Sequence, residues 1–132
     1  MKKLILILTV IVFSCQSSQE SELGTLKDEV MSIHDEVMPK MGELRRVRKS
    51  LLIQADSLVG IDSIASSKLT YLRDEIDNAN EGMMQWMRNF EPEFEGTNEE
   101  IKAYLEEQKI AVTKVKDDMN ASLASGKEAL GN

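Results

Sequence analysis

Cysteine is almost missing from this chain. Its 132 residues contain one, Cys15, so no disulfide can close a loop and no CxxCH element exists for covalent haem attachment. Histidine is equally scarce, with His34 alone. There is no phosphate-binding loop and no nucleophile elbow beside it, and the sequence predicts that the protein is not an enzyme. Two prolines, seven glycines and 5% aromatic residues leave few turn formers and few strand formers. Glu, Lys, Leu, Ala and Met take their place, a composition that favours helix. No segment repeats at a period of roughly 20–50 residues, which excludes a solenoid. Cationic charge is also short: a formal net charge of −7 makes a poor partner for nucleic acid or for anionic lipid headgroups. The cluster Arg45-Arg46-Val47-Arg48-Lys49 is a local exception. It is expected to be a solvated helix face paired with acids such as Glu43, or else a docking patch.

The apolar stretch at the N terminus, Leu4 to Phe13, is interrupted by Thr9 and follows the basic pair Lys2-Lys3. As a helix it would rise only about 15 Å, roughly half a hydrocarbon core, so it has the layout of a secretory signal and not of a membrane span. The four residues that end it, Val12-Phe13-Ser14-Cys15, resemble the lipobox of bacterial lipoproteins, with Val12 where leucine is commonest. That resemblance implies a diacylglycerol on the Cys15 thiol, removal of residues 1–14 and acylation of the new amino terminus. It also implies a place in the cell envelope, anchored to a bacterial membrane (the outer one is expected) and facing periplasm or exterior. Acyl chains gain about 0.8 kcal/mol per buried CH₂, so two or three of them make release negligible. The competing reading is an ordinary signal peptide with an incidental cysteine. Without Lys2 and Lys3, 14 cations stand against 23 anions, a charge of −9 for the mature chain. Residues 15–21, the cysteine followed by small polar side chains, are expected to be a flexible tether, and 22–132 a single domain.

Three apolar stripes run through that domain. Leu23, Leu26, Val30, Ile33, Val37, Met41, Leu44, Val47 and Leu51 recur at spacings of three and four, predicting a helix over about 22–57 with a kink near Glu36–Pro39. Gly60 is placed at the first turn and Asp62 at the cap of a second helix, over about 62–90, whose stripe runs from Ala65 through Met83 and Trp86 to Phe90. Thr97 and Glu100 fit a capping box for a third helix over about 98–125, with Leu105, Val112 and Met119 on its stripe and a frayed end from Ser122 onward. Short connections between long amphipathic helices predict an all-α fold, an up-down-up antiparallel three-helix bundle. The heptad-like spacing also fits an oligomeric coiled coil.

Methionine is the residue in excess. Met31, His34, Met38 and Met41 share one face of the first helix, beside its core stripe, and Met83, Met84, Trp86 and Met87 crowd the second. A hairpin turning near residues 59–60 brings His34 opposite position 85, Met31 opposite 88 and Met38 opposite 81, within about one turn. Thioethers with one imidazole form a soft, neutral donor set that selects Cu(I) or a similar soft monovalent ion over hard cations. In residue types alone the set resembles the small periplasmic copper- and silver-binding proteins, which use two Met, one His and a Trp ring stacked on the metal. The resemblance implies Met31, His34, Met38, Met84 and Met87 as candidate ligands and Trp86 as the stacking ring. Met41, Met83 and Met119 read as flexible core filler. Because His34 lies soon after Cys15, the site is expected at the membrane-proximal end of the bundle.

The segments HDEVMPKM (34–41) and MMQWMRNFEPEFEGTNEE (83–100) resemble small helical lipoproteins of Bacteroidota-type bacteria, often labelled "viral A-type inclusion protein". That resemblance supports a helical lipoprotein and implies no activity. Two functions fit the sequence: a membrane-tethered soft-metal binder, or a structural or adaptor lipoprotein whose methionine-rich surface contacts another envelope protein.

Overall fold

The computed structural model describes residues 14–131, with side chains from Ser18 onward. Of the predicted signal segment, residues 1–14, all but Ser14 lies outside the described residues, as does the side chain of Cys15. Helix makes up 87% of the structure, and the described residues contain no strand. Four α-helices follow one another: α1 (Ser14–Val37), α2 (Met41–Ser57), α3 (Ser63–Asn89) and α4 (Asn98–Ala129). A single 3₁₀ turn, Met38–Lys40, joins α1 to α2. The two form one long arm, α3 returns along it, and α4 runs back beside both, giving an all-α up-down-up bundle. No helix among the described residues is long and apolar enough to cross a membrane.

The break between α1 and α2 has a local cause. Pro39 lacks the N–H that would bond into the preceding turn, so the helix tightens to 3₁₀ for one turn and resumes at Met41. The other boundaries are set by caps. Gly60 takes a positive φ of 79° in the turn, and the Asp62 side chain accepts from the Ala65 amide at 3.0 Å to start α3. Thr97 and Glu100 form the reciprocal capping box of α4: Glu100 accepts from the Thr97 amide at 2.8 Å, and Thr97 accepts from the Glu100 amide at 3.3 Å.

The core repeats every seven residues. Val30, Val37, Leu44 and Leu51 are buried on the long arm, Leu69, Ile76 and Met83 on α3, and Leu105, Val112 and Met119 on α4. The antiparallel hairpin brings Val37 level with Met83, Leu44 with Ile76 and Leu51 with Leu69. Val47, Ala55, Ala79, Trp86 and Leu123 join all of these except Leu105 in one cluster.

A ladder of ion pairs fixes the parallel register of α1 on α4. Glu22 meets Lys102 at 2.5 Å, Glu29 meets Lys109 at 2.6 Å and Glu36 meets Lys116 at 3.3 Å, each pair 80 residues apart. Past the 3₁₀ turn, Glu43 pairs with Lys127 at 2.8 Å, a separation of 84, because Leu123 occupies the intervening turn as a core residue. Exposed pairs add little net stability, so the ladder chiefly selects one register.

Several expectations need correction. Helix α1 is already formed at Ser14, the first described residue, and not only from near residue 22, so the segment expected as a flexible tether is helical. Once the docked turns exist, each added residue gains a hydrogen bond at small cost, and Gln19 to Asn98 and Glu22 to Lys102 tie this extension to α4. The end of α4 does not fray at Ser122: it holds to Ala129, with Ser122, Leu123 and Gly126 buried. Gly126 is the point of closest approach. A Cβ there would stand 2.7 Å from Val47 Cγ1 and 3.3 Å from Ile76 Cδ1 and Leu51 Cδ1. The basic cluster is not paired with Glu43, which Lys127 holds; Arg48 pairs with Asp77.

Two glycine substitutions should move stability in opposite directions. Gly126→Ala gains about 1 kcal/mol of helix propensity but drives a methyl into stiff, buried Val47, and overpacking of this kind costs about 1–3 kcal/mol. Gly82→Ala meets only Val115 Cγ2, at 3.9 Å, and should stabilise by about 0.5–1 kcal/mol. Urea unfolding should therefore show a lower midpoint for the first variant and a higher one for the second.

Acid should weaken the bundle through identifiable carboxyls. The hydrogen bond from Lys127 holds the Glu43 carboxyl below its ordinary 4.5. The Thr97 backbone amide does the same for Glu100. A carboxyl whose folded pKa is depressed contributes stability above its unfolded pKa and loses it as pH falls through the folded value. Unfolding free energy should thus decline below about pH 4.5, and Glu43→Gln combined with Glu100→Gln should flatten that decline in acid titrations followed by circular dichroism.

Candidate functional site

His34 sits on α1, one turn before the 3₁₀ break, and faces the last turn of α3. Its side chain is 16% exposed, while neighbouring Asp35 is largely in solvent. Asp35 Oδ1 lies 2.8 Å from His34 Nδ1. A carboxylate oxygen accepts and does not donate, so Nδ1 carries the hydrogen of this contact. The other ring nitrogen, Nε2, lies 3.3 Å from the sulfur of Met87. In the neutral imidazole Nε2 then bears a lone pair, and two soft donors face one another with no proton between them. Protonation of the ring turns the same contact into an N–H···S hydrogen bond.

Trp86 covers this pair. Its ring lies 5.7 Å from the imidazole, centroid to centroid, tilted by 34°. It is buried, and its Nε1 has no hydrogen-bond partner among the described residues. Trp86 in turn stacks on Phe90 at 4.9 Å, Phe90 on Tyr104 at 6.3 Å, and Tyr104 on Phe94 at 4.3 Å. The rings make a continuous ladder from α1, across the end of α3, to the first turns of α4. The Tyr104 hydroxyl accepts from the Glu91 amide at 2.7 Å, and Lys27 holds Glu93 at 2.7 Å, pinning the α3–α4 loop over the stack.

Of the residues singled out in the sequence, the structure brings together His34, Trp86 and Met87. Met38, like Met41, is partly buried against the core, on the same arm as His34. Met31 is half-buried one turn before His34. Met84 is 41% exposed on the outer side of α3. Met83 and Met119 are fully buried in the core. Among the described residues no group of three or more His, Cys, Asp and Glu gathers in a manner suited to a harder cation. Asp35, Phe94 and Tyr104 were not singled out, and Phe90 was read only as the end of an apolar stripe. Asp35 follows His34 directly in sequence, and the three rings, grouped with Trp86 in a chain poor in aromatics, were a readable signal.

The site is not at the extremity of the bundle. With α1 beginning at Ser14, His34 stands about 30 Å along it. Gln19 reaches Asn98 at the start of α4, so α1 and α4 run on together about 22 Å beyond the site. The site lies where α3 ends and three helices give way to two.

The chain was compared with family models, curated proteins and solved structures, and none matches it.

Removing the Tyr104 hydroxyl isolates one part of this arrangement. Tyr104→Phe keeps the ring stack and deletes the acceptor of the Glu91 amide, a bond worth about 0.5–1.5 kcal/mol. Amide exchange at Glu91 should accelerate, with exchange in the middle of α3 unchanged.

Proposed function

We propose that the protein is a membrane-anchored lipoprotein of the bacterial cell envelope that binds a soft monovalent metal ion, Cu(I) or a close analogue, at His34 and Met87. The observation that carries the metal reading is the 3.3 Å approach of Nε2 to the thioether sulfur. An ion held at about 2.0 Å by nitrogen and 2.3 Å by sulfur, at a tetrahedral angle, spans donors roughly 3.5 Å apart. The pair is thus within a few tenths of an ångström of a bite before any ion binds.

The rest of the neighbourhood supports the same chemistry. Asp35 bonds Nδ1 and so directs the lone pair of Nε2 toward the sulfur, the usual outer-shell role of a carboxylate on a ligating imidazole. Met31 and Met38, at −3 and +4 from His34, are the candidate further ligands, reached by rotation of flexible thioether chains. Trp86 shields the site from water and presents a ring face beside it. The anchor rests on Val12-Phe13-Ser14-Cys15, whose lipidation would hold the site at a membrane surface. Exposure of Met84 favours the second reading for that residue alone: contact with an envelope protein partner instead of ligation.

Competition of Cu(I) against a bathocuproine-type chelator, with Trp86 fluorescence as a second signal, tests the metal reading. The wild-type chain should bind tighter than about micromolar, and His34→Ala or Met87→Ala should each weaken binding at least about tenfold. Binding no tighter than micromolar, or unchanged binding in the double variant, would sink it.

A further inference from the structure

Almost every cation of the described residues is engaged: each Lys and Arg is paired with a carboxylate, or in the case of Lys40 with the Asn120 amide, except at one place. The exceptions are Arg45, Arg46, Lys49 and Lys68, all exposed: Lys68 and Lys49 lie within about 15 Å of the α2–α3 turn, and Arg45 and Arg46 about 20 Å back along α2. Arg46 is close enough to Glu43 to help lower its pKa but forms no ion pair with it. The same end carries Ile53, Val59, Ile61 and Ile64, between 59% and 83% exposed. Helix α4 stops short of it. Gly126 packs at the level of Val47 and Leu51, and the helix closes at Ala129 with Gly131 at a φ of 75°, so the hairpin tip projects about two helical turns beyond.

The order of side chains along the tip is informative. On α2, Arg45, Arg46, Lys49 and Ile53 fall within about 100° of one another on the face opposite the core. On α3, Ile64, Lys68 and Tyr71 follow at spacings of four and three, one outward stripe ending in a ring that is 61% exposed. Aliphatic side chains therefore lead, in the turn and the adjoining turns of helix, and lysine, arginine and tyrosine form a collar behind them. Asp62 is engaged in capping α3; Asp56 is an exposed carboxylate at the same end. An aliphatic wedge behind which long cationic side chains and an aromatic ring can lie at headgroup level is the pattern of a protein surface that dips into a bilayer interface.

We propose that the α2–α3 tip is a peripheral membrane-binding element that inserts Val59, Ile61, Ile64 and Ile53 into the surface of an anionic phospholipid bilayer, with Arg45, Arg46, Lys49 and Lys68 on the headgroups. The acidic remainder of the chain orients the approach, since among the described residues only this half of the hairpin offers unpaired positive charge. The long arm from Ser14 to Ser57 is about 65 Å, so a chain held at its N terminus carries the tip up to that distance from the point of attachment.

Hydrogen exchange of the full chain, followed residue by residue with phosphatidylglycerol vesicles and with phosphatidylcholine vesicles, tests this independently of any metal. Readout at residues 53–64 separates the tip from whatever the N-terminal segment does. Anionic vesicles should slow exchange there, neutral vesicles should do so far less, and high salt should reverse the protection. Arg45→Gln, Arg46→Gln and Lys49→Gln combined should weaken the effect by about a hundredfold in lipid concentration. Ile61→Asp with Ile64→Asp should abolish it while circular dichroism stays helical. Equal protection by neutral vesicles, protection that grows with protein concentration in the absence of lipid, or indifference to both sets of substitutions would overturn the proposal.

Discussion

The seven-residue repeat of buried side chains is the constraint on which the rest of the structure depends. Because Val30, Val37, Leu44 and Leu51 recur at that interval, they return to nearly the same face of the long arm despite the interruption at Pro39. A 3₁₀ turn of three residues winds a full turn where an α-helix would fall short of one, and this small gain in twist lets the stripe continue in phase. With the stripe continuous, α4 can pack on both sides of the break, and α3 can follow α2 past it as far as His34. Every contact at a distance from the core, including the Glu–Lys ladder, inherits its register from that fact.

Much of this was legible because it rests on local rules. Asp62, Gly60 and the Thr97–Glu100 box act within a few residues of themselves, so their sequence pattern and their geometry are nearly the same statement. The frayed end expected for α4 shows where such rules stop. Ser122 to Ala129 is small and polar in sequence, which reads as weak, yet small side chains are what a close helix crossing requires, and Gly126 is buried against Val47, Ile76 and Leu51. Smallness has opposite meanings in solvent and at a crossing, and only the third dimension distinguishes them. Likewise the start of α1 depends on partners about 80 residues away, Asn98 and Lys102, which no local propensity contains.

The candidate site divides in the same way. The facing of His34 and the Trp86–Met87 pair follows from hairpin register, which a turn position and a count of residues set to within a turn. Which thioethers gather does not follow from helical spacing. Met84 is three residues from Met87, close enough for the same stripe by count, but it lies on the solvent side because Met83 and Trp86 hold the core positions between them. Asp35 could not be distinguished in sequence from the many other carboxylates on solvated faces. Its significance comes from one distance to Nδ1.

Location explains why an imidazole and a thioether can meet here. In the three-helix section, positions facing inward are filled by packed aliphatic and methionine side chains, and many positions facing outward are hydrated and taken up by ion pairs. Where α3 ends, one wall of the bundle is replaced by a ladder of aromatic rings. Flat rings exclude water without filling the volume beside α1 as a further helical turn would, so an imidazole only 16% exposed can face a thioether at the margin of the core. The opposite end of the rod loses α4 instead, and no ring ladder replaces it; there the uncovered aliphatic side chains and unpaired cations stay at the surface. Both features of chemical interest therefore have one structural origin, the unequal lengths of three helices that share a single heptad register.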